Sequence, residues 1–403
     1  MPVVMPSPLQ IILRSGKDEA VRRFHPWVFS GAIKKMAGAA YDGAHAEVFS
    51  NQMEYLGSGL YQDATISVRL LSFAPERPAT FDQGFWNDRI ARAYDLRRQM
   101  GLTDDPSTNV YRLVHGEGDH IPGLIIDHYD GHVVIQIHST GLYGCLPAIT
   151  HALKDLYGQQ LKSIYDKSQA TLPEEFRKKN KAGGDLFGAT EVADITENGN
   201  RFLVDIPGGQ KTGFFIDQRN NRQLLTQYCK GKTVLNTYCY TGGFSVYALA
   251  AGAAEVHSVD SSSSAMEMTE KNIQLNFGHD NRHRAIVDDA MQMIRQSQTP
   301  YDVIVLDPPA FAKHVNVKHN AVQGYKRLNL AAIEKIKSPG VLFTFSCSQV
   351  VDMNLFRSTV MSAAILAKRK ARILHQLTQP PDHPVNLFHP EGQYLKGLVI
   401  RID

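Results

Sequence analysis

TVLNTYCYTGGFSVYALAAGAAEVHSVD, residues 233–260, opens on an apolar, β-branched run, turns at Gly242-Gly243, continues through a helix-forming stretch and closes on a second apolar run. The same alternation continues toward the C-terminus. HRAIVDD (283–289), YDVIVLD (301–307) and GVLFTFS (340–346) read as strands. SSAMEMTEKNIQLNFG (263–278), DAMQMIRQSQ (289–298), LNLAAIEKIK (328–337) and NLFRSTVMSAAILAKRK (354–370) read as helices. Strands alternating with helices predict a parallel sheet covered on both faces. ARILHQLTQ (371–379) and KGLVIRID (396–403) have no helix between them and predict an antiparallel hairpin at the sheet edge.

Upstream the pattern differs. LQIIL, HAEVFS, YLGSGLY and ISVRLLSF, within residues 1–74, are short strands separated by turn residues, which suggests a small barrel or sheet. FDQGFWNDRIARAYDLRRQMG (81–101) has helical spacing and a stop at Gly101. GLIIDHYDGHVVIQIH (123–138) is a hairpin signal around Asp130-Gly131, and PAITHALKDLYG (147–158) an amphipathic helix. FRKKNKAGGDLFG (176–188), polar and glycine-rich, reads as a loop.

The bulk properties narrow the class. The chain has 403 residues, 43% hydrophobic and 21% charged, which suits two or three globular domains and excludes disorder, collagen or coiled coil as the whole description. No run of about 18 apolar residues predicts a membrane helix. MPVVMPSPLQIILRSGK (1–17) lacks a basic n-region and a small-residue cleavage site, so secretion is not expected. Cys145, Cys229, Cys239 and Cys347 form no C-x-x-C pair, and the sixteen histidines form no H-E-x-x-H. That pattern fits a reducing, cytoplasmic setting and predicts no metal site. A net charge of +3 permits a nucleic-acid partner through local patches only.

In an open parallel sheet, ligands bind at the carboxyl ends of the strands. Those ends hold Asn236, Asp260, Asp288/Asp289, Asp307 and Cys347. Asn236 to Phe244 follows the first strand, and Gly242 and Gly243 allow close approach of backbone to a ligand. Asp260 stands about 20 residues on, where a carboxylate binds a ribose hydroxyl pair. The first glycine of a dinucleotide-binding G-x-G-x-x-G is replaced by Tyr240, which disfavours NAD and leaves an adenosyl cofactor. Asp289 is either an acceptor for an adenine amino group or a helix N-cap. Pro308-Pro309 stiffens the loop that carries Asp307, and Phe311 is either a stacking platform for a base or a core aromatic. Cys347, flanked by serines at a strand end, is a candidate nucleophile.

These motifs resemble class I S-adenosylmethionine-dependent RNA methyltransferases, in particular the bacterial large-subunit ribosomal RNA cytosine-5 group with an N-terminal PUA domain. The resemblance rests on YTGGFS, DPPAF and SCS at the strand ends and on GQKTGFFIDQRNNR (209–222) before them. LRSGKDEAVRRFHPWVFSGAI (13–33), RLVHGEGDHIPGLIIDHYDGHVVIQ (112–136) and DHPVNLFHPEGQYLKG (382–397) extend it over the whole chain.

It implies an α/β, Rossmann-like class I methyltransferase domain with a C-terminal antiparallel hairpin (186–403). A small β-barrel-like PUA domain (1–74) and a linker helix with a small α+β domain (75–185) precede it. The implied S-adenosylmethionine pocket spans Asn236, Tyr240 and Gly242, with Asp260 and Asp289, bordered by Phe215 and Gln218. Cys347 matches the family's nucleophile and Asp307 its catalytic-loop acid, with Pro308, Pro309 and Phe311 on the substrate side. Asn236 departs from the acidic residue many class I enzymes carry there. Pro309 stands where two-cysteine enzymes place a second cysteine, which leaves the base that removes the C5 proton unidentified.

The implied partner is ribosomal RNA, with no membrane; a homodimer is compatible with this reading. Basic clusters at Arg22/Arg23, Lys34/Lys35, Arg177 to Lys181 and Lys368 to Arg372 are either phosphate contacts or solvated surface. Two other classes stay open: an RNA base-nitrogen methyltransferase, which would not need Cys347, and a non-catalytic RNA-binding protein. The intact acidic strand ends speak against the latter.

Overall fold

Seven strands form one sheet in the spatial order His283–Val287, Glu255–Asp260, Thr233–Thr237, Tyr301–Leu306, Ile336–Ser346, Lys396–Ile402, Ala371–Leu377. The first five are mutually parallel and the last two antiparallel, as the alternation and the helix-free ending predict. The last strand lies inside the edge: Lys396–Ile402 pairs with both neighbours, and Ala371–Leu377 takes the rim. The computed structural model describes residues 7–311 and 318–403; the first six residues, read above for a leader, lie outside the described residues.

The sheet belongs to one of two compact units, formed by residues 194–203, 214–380 and 393–403. Its central strands are buried: Leu235, Ile304, Leu306 and Leu342 pack with Tyr325, Leu328, Phe356 and Val360 of the covering helices. Helix starts follow the local chemistry. Ser262, Asp289 and Asp352 each accept a backbone N–H of the first turn, capping Ser263–Phe277, Ala290–Gln296 and Met353–Leu366. The helix before the fifth strand runs Lys318–Lys335, a longer element than LNLAAIEKIK alone predicts.

The other unit comprises residues 1–193, 204–213 and 381–392. It holds a six-stranded sheet, with Leu9–Leu13, His45–Phe49, Tyr55–Tyr61 and Ile66–Phe73 as expected. Two further strands, Trp27–Phe29 and Ile33–Ala37, escape the pattern because one has three residues and the other is mostly exposed. A five-stranded sheet contains the Asp130-Gly131 hairpin, whose turn residues have φ of 48° and 85°, the left-handed pair a two-residue hairpin needs. The 176–188 stretch corrects the sequence reading. Phe176 to Asn180 end a helix, Glu174–Asn180, and Gly184–Phe187 pairs with Ser163–Asp166, so only Lys181 to Gly183 connect them. Its charged, glycine-rich composition hid a short surface helix and an edge strand. Within this unit the ring of His389 packs on Trp27 at 4.3 Å, joining two stretches distant in sequence.

Candidate active site at the strand ends

Parallel register brings the strand ends level: Thr237 pairs with Val259 and Leu306, and Leu306 with Thr344. The turn after the first strand is unusual. Tyr238 and Tyr240 have φ of 54° and 48°, left-handed values that non-glycine residues adopt at a cost of order 1 kcal/mol or more. Asp260 holds the turn in place. One carboxylate oxygen accepts the Tyr240 N–H at 3.0 Å and the other the Ser262 N–H at 3.0 Å, and each keeps lone-pair capacity. Gly242 has φ 80°, and a Cβ there would lie 2.7 Å from Thr269 Cγ2, so close packing on the Ser263–Phe277 helix also requires glycine at this position.

Asn236 is buried. Its amide Nδ2 donates to Ser245 Oγ at 2.9 Å, while its Oδ1 is enclosed without a hydrogen-bond partner. Phe215 meets the Tyr240 ring edge-on at 5.2 Å, so both aromatics border the turn. Asp289 is exposed and caps its helix, accepting the Gln292 N–H at 2.8 Å. A half-buried carboxylate with spare lone pairs, a strained aromatic turn and an orphaned buried amide oxygen together fit an adenosyl cofactor.

Beside this turn lies a second cluster. Gln218 Nε2 donates to Asp307 Oδ2 at 2.9 Å, and Asn221 Nδ2 fixes the Gln218 carbonyl at 2.6 Å. Gln218 therefore touches Asp307, where the sequence reading set it beside the cofactor. Burial, reinforced by the neighbouring Asp217 carboxylate, pushes Asp307 up to about 7 against the pull of Gln218 and Arg222. The Cys347 thiol points its S–H at the Pro308 carbonyl, 3.9 Å away, which sets it against the Asp307-Pro308-Pro309 loop. Burial and the Asp307 and Asp217 charges push this thiol up to about 11. Pro308 is buried and Pro309 exposed. The partly buried Phe311 ring packs on Tyr325 at 4.6 Å, tilted by 44°, at the border of the core.

The stretch 214–222 is anchored from beneath. Arg222 makes a two-point ion pair with Glu197, Nε to Oε1 and Nη2 to Oε2 both at 2.8 Å, with both side chains buried. The same guanidinium donates to the Phe215 carbonyl at 3.0 Å, and Tyr247 adds a hydroxyl bond to Glu197 at 2.9 Å.

Comparison with known proteins decides what this geometry belongs to. A family model described as S-adenosylmethionine-dependent methyltransferase matches residues 111–393, and a PUA-like domain model matches residues 11–73. The chain belongs to the S-adenosylmethionine-dependent methyltransferase family. Among its relatives, Ribosomal RNA large subunit methyltransferase I of Aeromonas hydrophila is 39% identical, with 97% of this chain and 98% of that one aligned. The protein of the same name from Escherichia coli is 36% identical over 98% and 99%. Two solved structures share the fold at 24% identity, covering 97% of this chain and 99% of each. They are a proposed SAM-dependent methyltransferase from Streptococcus mutans, TM-score 0.82, and a proposed methyltransferase complexed with SAH, TM-score 0.83.

The cofactor of this methyltransferase is S-adenosylmethionine. Sequence reading of the methyltransferase missed Asp217, Tyr394 and Lys396 near the acid and the thiol, and Glu197 beneath Arg222. Tyr394 donates its hydroxyl to Asp217 at 2.7 Å, and Lys396 bonds the Ser348 carbonyl at 2.7 Å. A lysine opening the otherwise apolar last strand was the available signal. Of the basic clusters, much is engaged internally. Arg22 pairs with Asp18 and Glu54, Arg23 with Glu19, and Arg369 donates to the carbonyls of Ile333, Ile336, Lys337 and Asp403. Among the described residues no helix is long and apolar enough to cross a membrane.

Proposed function

We propose that this methyltransferase acts on C5 of a cytosine in large-subunit ribosomal RNA through a covalent Cys347 adduct. The observation that carries the reading is the placement of the Cys347 thiol against the Asp307-Pro308-Pro309 loop at the strand ends. The substrate class follows from the relatives' name, and the PUA-like segment supports an RNA partner.

Cytosine C5 is a weak nucleophile. Addition of the Cys347 thiolate to C6 forms an S–C6 bond and places electron density on C5. When bound, S-adenosylmethionine supplies an electrophilic methyl group for that carbon. Asp307, half-protonated near neutrality, donates its proton toward N3 or the exocyclic side of the ring and stabilises the charge building there. Loss of the C5 proton then breaks the S–C6 bond and returns the thiolate. Asp260, Tyr240, Phe215 and the 236–242 turn, with Asp289 at its rim, hold the adenosyl side in this reading; Asn236 supports the turn through Ser245. Pro308 and Pro309 shape the substrate side. The target nucleotide must be splayed from its stack to reach the thiol. Residues 1–74 and 75–185 serve RNA affinity, and 186–403 the chemistry.

Nucleoside mass spectrometry of ribosomal RNA from cells with and without the protein tests the reading. Loss of one 5-methylcytidine supports it; loss of a base-nitrogen methyl mark instead assigns the alternative chemistry.

A further inference from the structure

Lys396 opens the last strand in register with Ser346, the residue before Cys347. Its side chain is 3% exposed, yet no carboxylate among the described residues lies in ion-pair contact with it. Two of its three N–H groups are spent on backbone carbonyls, Ser348 at 2.7 Å and Tyr394 at 2.6 Å. Those carbonyls flank the thiol segment on one side and the Asp217-bonded tyrosine on the other. Buried ammonium groups are ordinarily paired with an anion, because desolvation otherwise costs more than carbonyl bonds return. Two groups able to carry negative charge bear on it, the Asp352 carboxylate and the Cys347 thiol, and of these the thiol belongs to the residue next to Ser348, whose carbonyl Lys396 holds at 2.7 Å.

We infer that Lys396 is the counter-cation of the Cys347 thiolate, a positioning residue that makes the nucleophile available inside a buried, acid-lined site. The inference rests on the Cys347 reading above. Three other groups bear on the thiol. Asp307 and Asp217 oppose its ionisation, and Tyr325, which bonds Ser348 Oγ at 3.0 Å, faces it from the Lys318–Lys335 helix. Lys396 opposes both acids in their effect on the thiol, and among the described residues Asp352 also bears on Lys396. Burial draws Lys396 down to about 8 while it pushes Cys347 up to about 11. Each group is disfavoured as a lone charge, so each stabilises the other's charged form. On ionisation the S–H proton leaves to solvent water, the ammonium keeps its three protons, and the sulfur lone pair is left free to attack C6.

The test is the pH dependence of Cys347 alkylation by iodoacetamide in the full-length protein, read on the Cys347 peptide by mass spectrometry. Lys396→Gln removes the charge but keeps two N–H donors for the carbonyls. It should shift the alkylation midpoint upward by at least one pH unit and slow the reaction about tenfold at pH 8. Lys396→Arg should stay within a few tenths of a unit of wild type. Lys396→Met serves if the glutamine variant does not fold, and S-adenosylmethionine calorimetry checks that the tested variant is folded. An unchanged profile in a folded, neutral variant overturns the inference. Failure of the nucleophile reading shows elsewhere: methylation by a Cys347→Ala enzyme overturns that reading, while the alkylation shift between wild type and Lys396→Gln, both with the thiol present, still tests the ion pair.

Discussion

The side-chain amide of Gln218 donates to the Asp307 carboxylate at 2.9 Å, with Asn221 holding the other end of the same amide at 2.6 Å. The Gln218 donor does not offset desolvation and the Asp217 charge, which push the half-buried Asp307 carboxyl up from its ordinary 3.8 to about 7. The GQKTGFFIDQRNNR segment thus supplies Asp217, which raises the acid, and Gln218, which orients it.

Asp307 binds its proton more tightly in the folded protein than unfolded. Its contribution to stability is full below about 3.8 and is lost as pH rises through about 7. Asparagine escapes that loss. Asp307→Asn should therefore gain stability relative to wild type between about pH 5 and pH 8, on the order of 1–3 kcal/mol after discounting partial solvent access. Urea titrations at both pH values measure it; a difference that does not change with pH contradicts the raised acid. Turnover in the same variant should fall by roughly 100-fold or more.

Cys347→Ala should abolish methyl transfer and leave S-adenosylmethionine affinity nearly unchanged, since among the described residues the thiol bonds the Pro308 carbonyl and no residue of the 236–242 turn. Wild-type enzyme should form a covalent complex with RNA bearing 5-fluorocytosine at the target, because fluorine does not leave as the proton does. Gel mobility after denaturation reads both proteins, and an adduct formed by the alanine variant sinks the assignment.

Asp260→Ala should weaken cofactor binding by about 1–3 kcal/mol in calorimetry. It also leaves the Tyr240 and Ser262 N–H groups without their acceptor, so a modest drop in Tm should accompany it. Undiminished affinity would remove Asp260 from the pocket.

Breaking the buried Glu197–Arg222 pair from one side should cost about 3–5 kcal/mol, because the remaining buried charge loses its counter-ion. Arg222→Met and Glu197→Gln should each lower Tm sharply, whereas Glu197→Leu combined with Arg222→Met should recover much of the loss. Additive losses in the double variant would show that the two residues act separately.

Much of the fold was legible because it depends on local periodicity. The strands 233–237 and 301–306 carry apolar residues at successive positions since they lie buried in the middle of the sheet, and Ser262, Asp289 and Gly278 mark helix ends in plain sight. Ile33–Ala37 and Gly184–Phe187 were not legible, since exposed edge strands carry charged or glycine-rich sequence that resembles loop.

For the site, sequence determined which residues end the strands, since a parallel sheet with even register must bring Asn236, Asp260, Asp307 and Cys347 to one rim. Only the tertiary structure decided their partners. It turned Asn236 toward Ser245, gave Gln218 to Asp307, packed Phe311 on Tyr325, bonded Tyr394 to Asp217 across 177 positions of sequence, and brought Asp217 and Lys396 to bear on the thiol. The reason is physical. Strand ends follow from backbone spacing along one stretch of chain, whereas the charge state of a buried acid or thiol depends on every group that packs around it, whatever its place in the sequence.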